Sequence, residues 1–190
     1  MKSVLISIRP QWCEKIASGQ KTIEVRKTAP KEMPFKAYIY CTNQKINGEI
    51  LLTFDKKVEG RNRGFRDKGD IPLAGKVIGE FVCDKIDEYT FSHYEAEYRV
   101  NHIEQKAMCL NHPELIRYGV GRTLYGWHIS DLKIYDKPKE LSEFNRPCSY
   151  AGLCFSCHRA KFTSKGDRVC EAMLTRPPMS WCYVEELRNE

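Results

Sequence analysis

Ser18-Gly19-Gln20-Lys21-Thr22-Ile23-Glu24-Val25-Arg26-Lys27, entered through Leu5-Ile6-Ser7-Ile8-Arg9-Pro10, decides how this chain is read. Val4 to Ile8 is short, apolar and β-branched, which predicts a strand, and Pro10 to Ala17 reads as one or two turns of helix. Gly19 ends that helix. From Thr22 the pattern has period two, so Ile23 and Val25 point one way while Thr22, Glu24 and Arg26 point the other. A polar strand face is ordinarily just solvated. Here, however, Arg9 and Lys21 stand at the adjoining strand ends, so three cations and the carboxylate of Glu24 lie close together in sequence. At a strand-lined mouth, Arg and Lys position phosphate. Glu24 there accepts hydrogen bonds from a base amino group or takes part in proton transfer.

With 190 residues the chain is long enough for one domain with a substantial core and short for two, so one domain with an appendage is expected. Hydrophobic residues at 42% and charged residues at 29% are values of a soluble globular protein, and no run approaches the roughly 20 apolar residues of a membrane helix. Val4 to Ile8 is too short for the apolar region of a signal peptide, so a cytoplasmic location is expected. The formal net charge of +6 is compatible with a phosphate-bearing partner and does not by itself require one.

Further along, Phe35 to Cys41 reads as a strand with Ala37, Ile39 and Cys41 on one face and Tyr38 and Tyr40 on the other, where the tyrosines are candidates to face the cleft. Ile50 to Phe54 reads as another strand. Lys56 to Asp70, with Arg61, Arg63, Arg66 and Lys68, reads as a solvated loop. The apolar run from Gly75 to Ile86 is a strand whose interior Gly79 marks a bulge or bend. Asp87 to Met108 gives no clear assignment. Asn111-His112-Pro113-Glu114 has the N-cap, early proline and capping-box glutamate of a short helix running to Tyr118 and a stop at Gly119. Thr123 to Tyr135 is the longest alternating segment, with a bulge expected near Ser130-Asp131.

Nine cysteines are present, and five of them, Cys148, Cys154, Cys157, Cys170 and Cys182, crowd the last quarter. Cys154 and Cys157 form a Cys-x2-Cys knuckle, which sets two sulfurs at a spacing suited to one tetrahedral ion. Cys148 and Cys170 complete a four-thiolate set for a structural Zn²⁺, with Cys182 and His158 as substitutes. The segment from Cys148 to Leu174 has too few large apolar residues to fold on its own, which a bound ion remedies.

Trp12, Tyr40, Trp127, His128 and Trp181 are the candidate stacking or lid residues, because extruded bases are held between aromatic faces and cations. Trp127 and Trp181 read as core; Trp12 and Tyr40 stay open as cleft residues.

The opening strand, Arg-Pro, the short helix ending in Ser-Gly and the Lys-Thr-Ile-Glu-Val-Arg run resemble the start of ASCH domains, members of the PUA-like superfamily. Tyr125-Gly126-Trp127-His128-Ile129 and Arg176-Pro177-Pro178-Met179-Ser180-Trp181-Cys182-Tyr183-Val184-Glu185 resemble segments of a phage-type and bacterial subgroup of that family. The resemblance implies a mostly β (α+β) fold: a PUA-like barrel over residues 1–136 with short peripheral helices. A connector and Cys-rich zinc-binding insertion over 137–175 and a returning strand within 176–190 complete the expected organisation. It further implies a cleft used on RNA or modified bases. The binding residues are then Arg9, Trp12, Lys21, Glu24, Arg26 and Tyr40. In an alternative reading, as a hydrolase of a modified nucleoside or a ribonuclease, Lys21 and Glu24 are the catalytic pair, with His128 as a further proton-transfer group. Some small ASCH relatives are amidohydrolases that use a Lys with a Thr three residues on. This chain keeps Lys21, but Glu24 occupies the threonine position and Thr22 follows the lysine directly, so the nucleophile of that triad is missing.

Overall fold

The computed structural model describes residues 1–43, 45–46, 49–50, 73–148, 161–162 and 168–187. The Lys56 to Asp70 loop, most of the strand expected after Ile50, and Cys154, Cys157 and His158 lie outside the described residues. In chain order the elements are β1 (Lys2–Ile8), α1 (Pro10–Ala17), β2 (Ile23–Arg26), β3 (Phe35–Cys41), β4 (Lys45–Ile46), β5 (Glu49–Ile50) and β6 (Val77–Cys83). They continue with β7 (Ile86–Tyr89), β8 (Phe91–Ser92), β9 (Glu97–Tyr98), α2 (His102–Met108), α3 (His112–Gly119), β10 (Leu124–His128) and β11 (Ser130–Lys139). A 3-10 turn at Leu141–Glu143 precedes β12 (Lys161–Phe162), β13 (Arg168–Val169) and β14 (Trp181–Val184).

Two sheets carry the fold, one ordered β11-β6-β3-β1-β14 and the other β2-β10-β7. β1 is parallel to β3, and every other pairing in these sheets is antiparallel. The apolar run of β1 is continuous because both faces of the large sheet are covered. Val4, Ile6 and Ile8 join Phe35, Ile39, Phe81 and Trp127 in the core between the sheets. Leu5 turns the other way, toward Tyr38, Tyr40, Val77, Phe144, Leu174 and Val184. A third cluster, built from Ile23, Val25, Tyr89, Leu124, Met108 and Leu115, seats α2 and α3 on the outer face of the small sheet.

The chain passes between the sheets at a corner within the Thr123 to Tyr135 segment. β10 belongs to the small sheet and β11 to the large one. At the second residue of β11 Asp131 adopts φ +47°, and the β11–β6 register shifts between Ser130 and Lys133, so the expected bulge is the device that turns the strand. Gly79 admits the close approach of β11, since a Cβ there would meet the Lys133 carbonyl at 2.5 Å. Gly119 is not the stop expected of it. It is the last residue of α3, packed so tightly that a Cβ would fall 1.7 Å from the Tyr98 hydroxyl, and Val120 supplies the left-handed cap at φ +53°. The capping box of α3 is formed as expected by Asn111 and Glu114, and a second one, by Asn101 and Glu104, starts α2 in the segment that resisted assignment.

The mostly β, α+β class holds, but the sheets do not close into a barrel: among the described residues no ladder joins β2 to β1 or β14. Side chains span that gap instead. Arg26 reaches the Ser7 carbonyl, the Trp181 indole N–H donates to Thr28 Oγ1 at 3.0 Å, and the Lys31 backbone N–H donates to the Tyr183 hydroxyl at 3.3 Å. The physical reason is that β2 has only four residues and spends its ladder on β10, leaving its second edge to be bridged by the side chains of β2 and of the segment after it.

Candidate functional site

The polar face of β2 turns inward. In the β2–β10 ladder Glu24 pairs with Trp127 and Arg26 with Tyr125, so both charged residues share the face that looks into the core between the sheets. Lys21 joins them from the turn after α1. Gly19, at φ +73°, ends the helix, the Lys21 N–H donates to the Lys15 carbonyl, and the Thr22 N–H donates to the Ala107 carbonyl near the end of α2. Lys21, Glu24 and Arg26 are only 2%, 6% and 7% exposed.

The cluster is tightly wired. Lys21 Nζ lies 3.4 Å from Glu24 Oε2 and donates to the Met108 carbonyl at 2.6 Å, at the C-terminus of α2, where the peptide dipoles favour a cation. Arg26 Nη2 lies 3.0 Å from Glu24 Oε1 and donates to the Ser7 carbonyl at 2.7 Å, while Nη1 is 3.5 Å from Ser180 Oγ. Both oxygens of Glu24 are therefore engaged by cations. The Arg26 Nε–H and the Trp127 indole N–H, both buried, have no hydrogen-bond partner. Burial pushes the Lys21 ammonium below its ordinary pKa despite the attraction of Glu24.

Trp12, half-buried on α1, lies over this group, with Lys21 Nζ 5.2 Å and Lys15 Nζ 5.0 Å from its ring centroid. Arg9, exposed, follows the Ser7-Ile8 pair at the entry to α1. Tyr118, missed by the sequence reading, stands on α3 with Lys27 Nζ 5.1 Å from its ring centroid. Its phenol is raised in pKa by burial first, and it feels the charges of Arg26, Glu24 and Arg9. Ser7, Ser180 and the Met108 carbonyl were likewise unforeseen, since each is set by a contact across the fold. An aromatic one residue before the end of a charged helix was the one signal available for Tyr118.

Two expected residues lie elsewhere. Tyr40 packs in the cluster on the opposite face of the large sheet, because alternation along β3 sends it away from Ile39 and Cys41. His128 pairs with Ile23 across the ladder, on the face away from Glu24, and its Nε2 lies 2.6 Å from Asp87 Oδ2. Trp127 is fully buried, edge-on to Phe35 and Trp181. Among the described residues two thiols lie near the cluster: Cys13 is buried, and burial drives its pKa well up, while the half-buried Cys109 donates from Sγ to the Gln20 carbonyl at 3.4 Å beside Lys21. A surface depression of about 880 Å³ lined by Lys2, Glu32, Cys148, Tyr183 and Glu185 shares no residue with the cluster.

In the Cys-rich segment, Cys148 and Cys170 are free, half-buried thiols, and no group of three or more metal-ligating side chains occurs among the described residues. Cys182 is on β14, paired with Leu5 and packed against the outer cluster of the large sheet.

No family model matches the chain, and no curated protein matches it. Among solved structures it is similar to ASCH from Zymomonas mobilis, at 16% identity over 97% of this chain and 89% of that one, with a TM-score of 0.50. The fold is that of an ASCH domain. Two mutants of the Zymomonas mobilis ASCH protein also align. One does so at 15% identity over 97% of this chain and 89% of that one, with a TM-score of 0.45. The other aligns at 17% identity over 74% and 77%, with a TM-score of 0.41. No helix among the described residues is long and apolar enough to cross a membrane.

Proposed function

We propose that this ASCH-fold chain is a nucleic-acid-binding module that takes RNA, or a modified base within it, at the Lys21–Glu24–Arg26 cluster beneath Trp12. One observation carries the reading. A buried site holds two cations against one carboxylate and keeps an unpartnered guanidinium N–H, in the gap between β2 and the β1–β14 edge. Buried donors without partners are costly, and an acceptor-rich guest removes the cost. Trp12 offers an aromatic face beside it, the combination that holds unstacked bases. Arg9 adds a charge at the rim. Single-stranded RNA binding measured at several salt concentrations tests the reading. Arg9→Gln, at an exposed position, lowers the salt slope by about 0.7, and Lys21→Met weakens binding by about tenfold. Wild-type binding in both variants defeats it.

A second reading, a hydrolase of a modified nucleoside or a ribonuclease, is favoured by one feature: a lysine whose ammonium is disfavoured by burial lies 3.4 Å from a carboxylate, an arrangement suited to proton transfer. Incubation of the same proteins with acylated nucleosides and RNAs separates the two readings. Turnover lost in Lys21→Met establishes the enzyme; unchanged substrates that are nonetheless retained establish the binder.

The Cys-rich segment we assign to a structural Zn²⁺ held by Cys148, Cys154, Cys157 and Cys170. Its support is the Cys-x2-Cys spacing of Cys154 and Cys157, with Cys148 and Cys170 on either side of that knuckle in the sequence. Four thiolates leave no open position, so the ion would stabilise and not catalyse. Elemental analysis of purified protein yielding well under one zinc per chain removes this assignment.

A further inference from the structure

Around the buried cluster the charges do not balance. Among the described residues Glu24 is the one carboxylate in it, and its two oxygens are committed to Lys21 and Arg26. The cations of Arg9 and Lys27 therefore stand at the rim without a carboxylate partner among the described residues. Lys27 rests on the ring of Tyr118, 5.1 Å from its centroid. Tyr118 is fixed in place because the next residue, Gly119, is clamped against Tyr98. Its hydroxyl stays a donor at neutral pH, burial having raised its pKa. Inside, the Arg26 Nε–H is more than nine-tenths buried and unpartnered. Donors and positive charge both exceed what the described residues supply to meet them. A neutral base offers acceptors but no charge, whereas a phosphate offers both.

We propose that Arg9, Lys27 and Tyr118 form a phosphate-binding rim around the Lys21–Glu24–Arg26 cluster, so that the site takes a phosphorylated nucleotide and discriminates against the bare nucleoside. This rests on the nucleic-acid reading above and adds to it the class of ligand. It also reassigns Glu24, whose oxygens are occupied, from reading a base amino group to holding the two inner cations in place.

The test compares three sets of probes by titration calorimetry: the four ribonucleosides, their 5′-monophosphates, and short RNAs with internal phosphodiesters but no terminal phosphate. The 5′-monophosphates or the RNAs bind about tenfold more tightly than the nucleosides, and whichever set does so identifies a terminal or an internal phosphate as the group held. Lys27→Gln, Arg9→Gln and Tyr118→Phe, all at exposed or half-buried positions, each lower the affinity for that set severalfold while leaving nucleoside affinity unchanged. Equal binding of all three sets overturns the rim and leaves the nucleic-acid reading intact. Rim variants that weaken nucleosides and phosphorylated probes alike overturn it too. No binding by any probe overturns both.

Discussion

Two of the lysine–carboxylate groupings among the described residues, one around Lys21 and one around Lys36, resolve the contest between burial and pairing in opposite ways. Lys21 faces one carboxylate, Glu24, at 3.4 Å, with both side chains under a tenth exposed. Lys36 faces two, Glu186 at 2.8 Å and Glu80 at 3.7 Å, with the lysine 16% and Glu186 41% exposed. Burial wins in the first and lowers the lysine pKa; the hydrogen bond to Glu186 wins in the second and raises it. The second cluster is also closed, with the Tyr135 hydroxyl donating to Glu80 and the Leu187 N–H donating to the Tyr38 hydroxyl, so it straps the segment after β14 to β3 and β6. The first leaves a buried guanidinium N–H unpartnered. A strap satisfies its own groups; under the proposed function the inner cluster keeps a donor back for a guest.

The largest effect expected from this contrast is on stability. Glu24→Gln leaves Lys21 and Arg26 buried together without a counter-charge, which costs about 3 kcal/mol of unfolding free energy. Glu186→Gln, at the surface, costs under about 1 kcal/mol. Urea unfolding of both variants, compared at equal m-value, makes the measurement. Equal losses would show that the inner cluster is solvated, and the distinction drawn between the two would collapse.

How the inner cluster reads from sequence depends on the range of each interaction. β1, α1, β2 and the α3 cap were legible because they are written in local spacing and capping chemistry. The grouping of Lys21, Glu24 and Arg26 was legible for the same reason: one turn and one strand hold all three. Their burial was not, because it is imposed by β10, some hundred residues on, and by the end of α2, from a segment without a clear pattern. Tyr40 shows the complementary limit. Alternation told which residues share a face with it but not which face looks toward Lys21, and the large sheet is covered on both. Tyr118 reaches the rim only through the seating of α3, set by the Gly119–Tyr98 contact. The closed barrel was the family's expectation, and the open β2 edge arises from a strand too short to span it.

The finest distinction between the clusters lies in how each lysine titrates. The ordinary lysine value is 10.5, and Lys21 in the folded protein lies below it. Between these two values the unfolded chain binds the Lys21 proton and the folded chain does not, so this group's contribution to stability rises with pH across that window. Lys36 lies above 10.5 when folded. Its contribution is fully present below 10.5 and is lost as pH rises through the folded value, because there the folded chain holds the proton longer. Ionisation of tyrosines remote from the two lysines cancels when each variant is subtracted from wild type; Tyr38, whose charge Lys36 feels, is removed by making the Lys36 comparison in a Tyr38→Phe background. The stability difference between wild type and Lys21→Met should therefore shift in favour of wild type as pH climbs from neutrality toward 10.5, whereas that between wild type and Lys36→Met stays level and then shrinks beyond 10.5. If both differences move in the same direction, the ammonium of Lys21 is as well solvated as that of Lys36. The unmet donors of the inner cluster would then have water for a partner and no need of a guest.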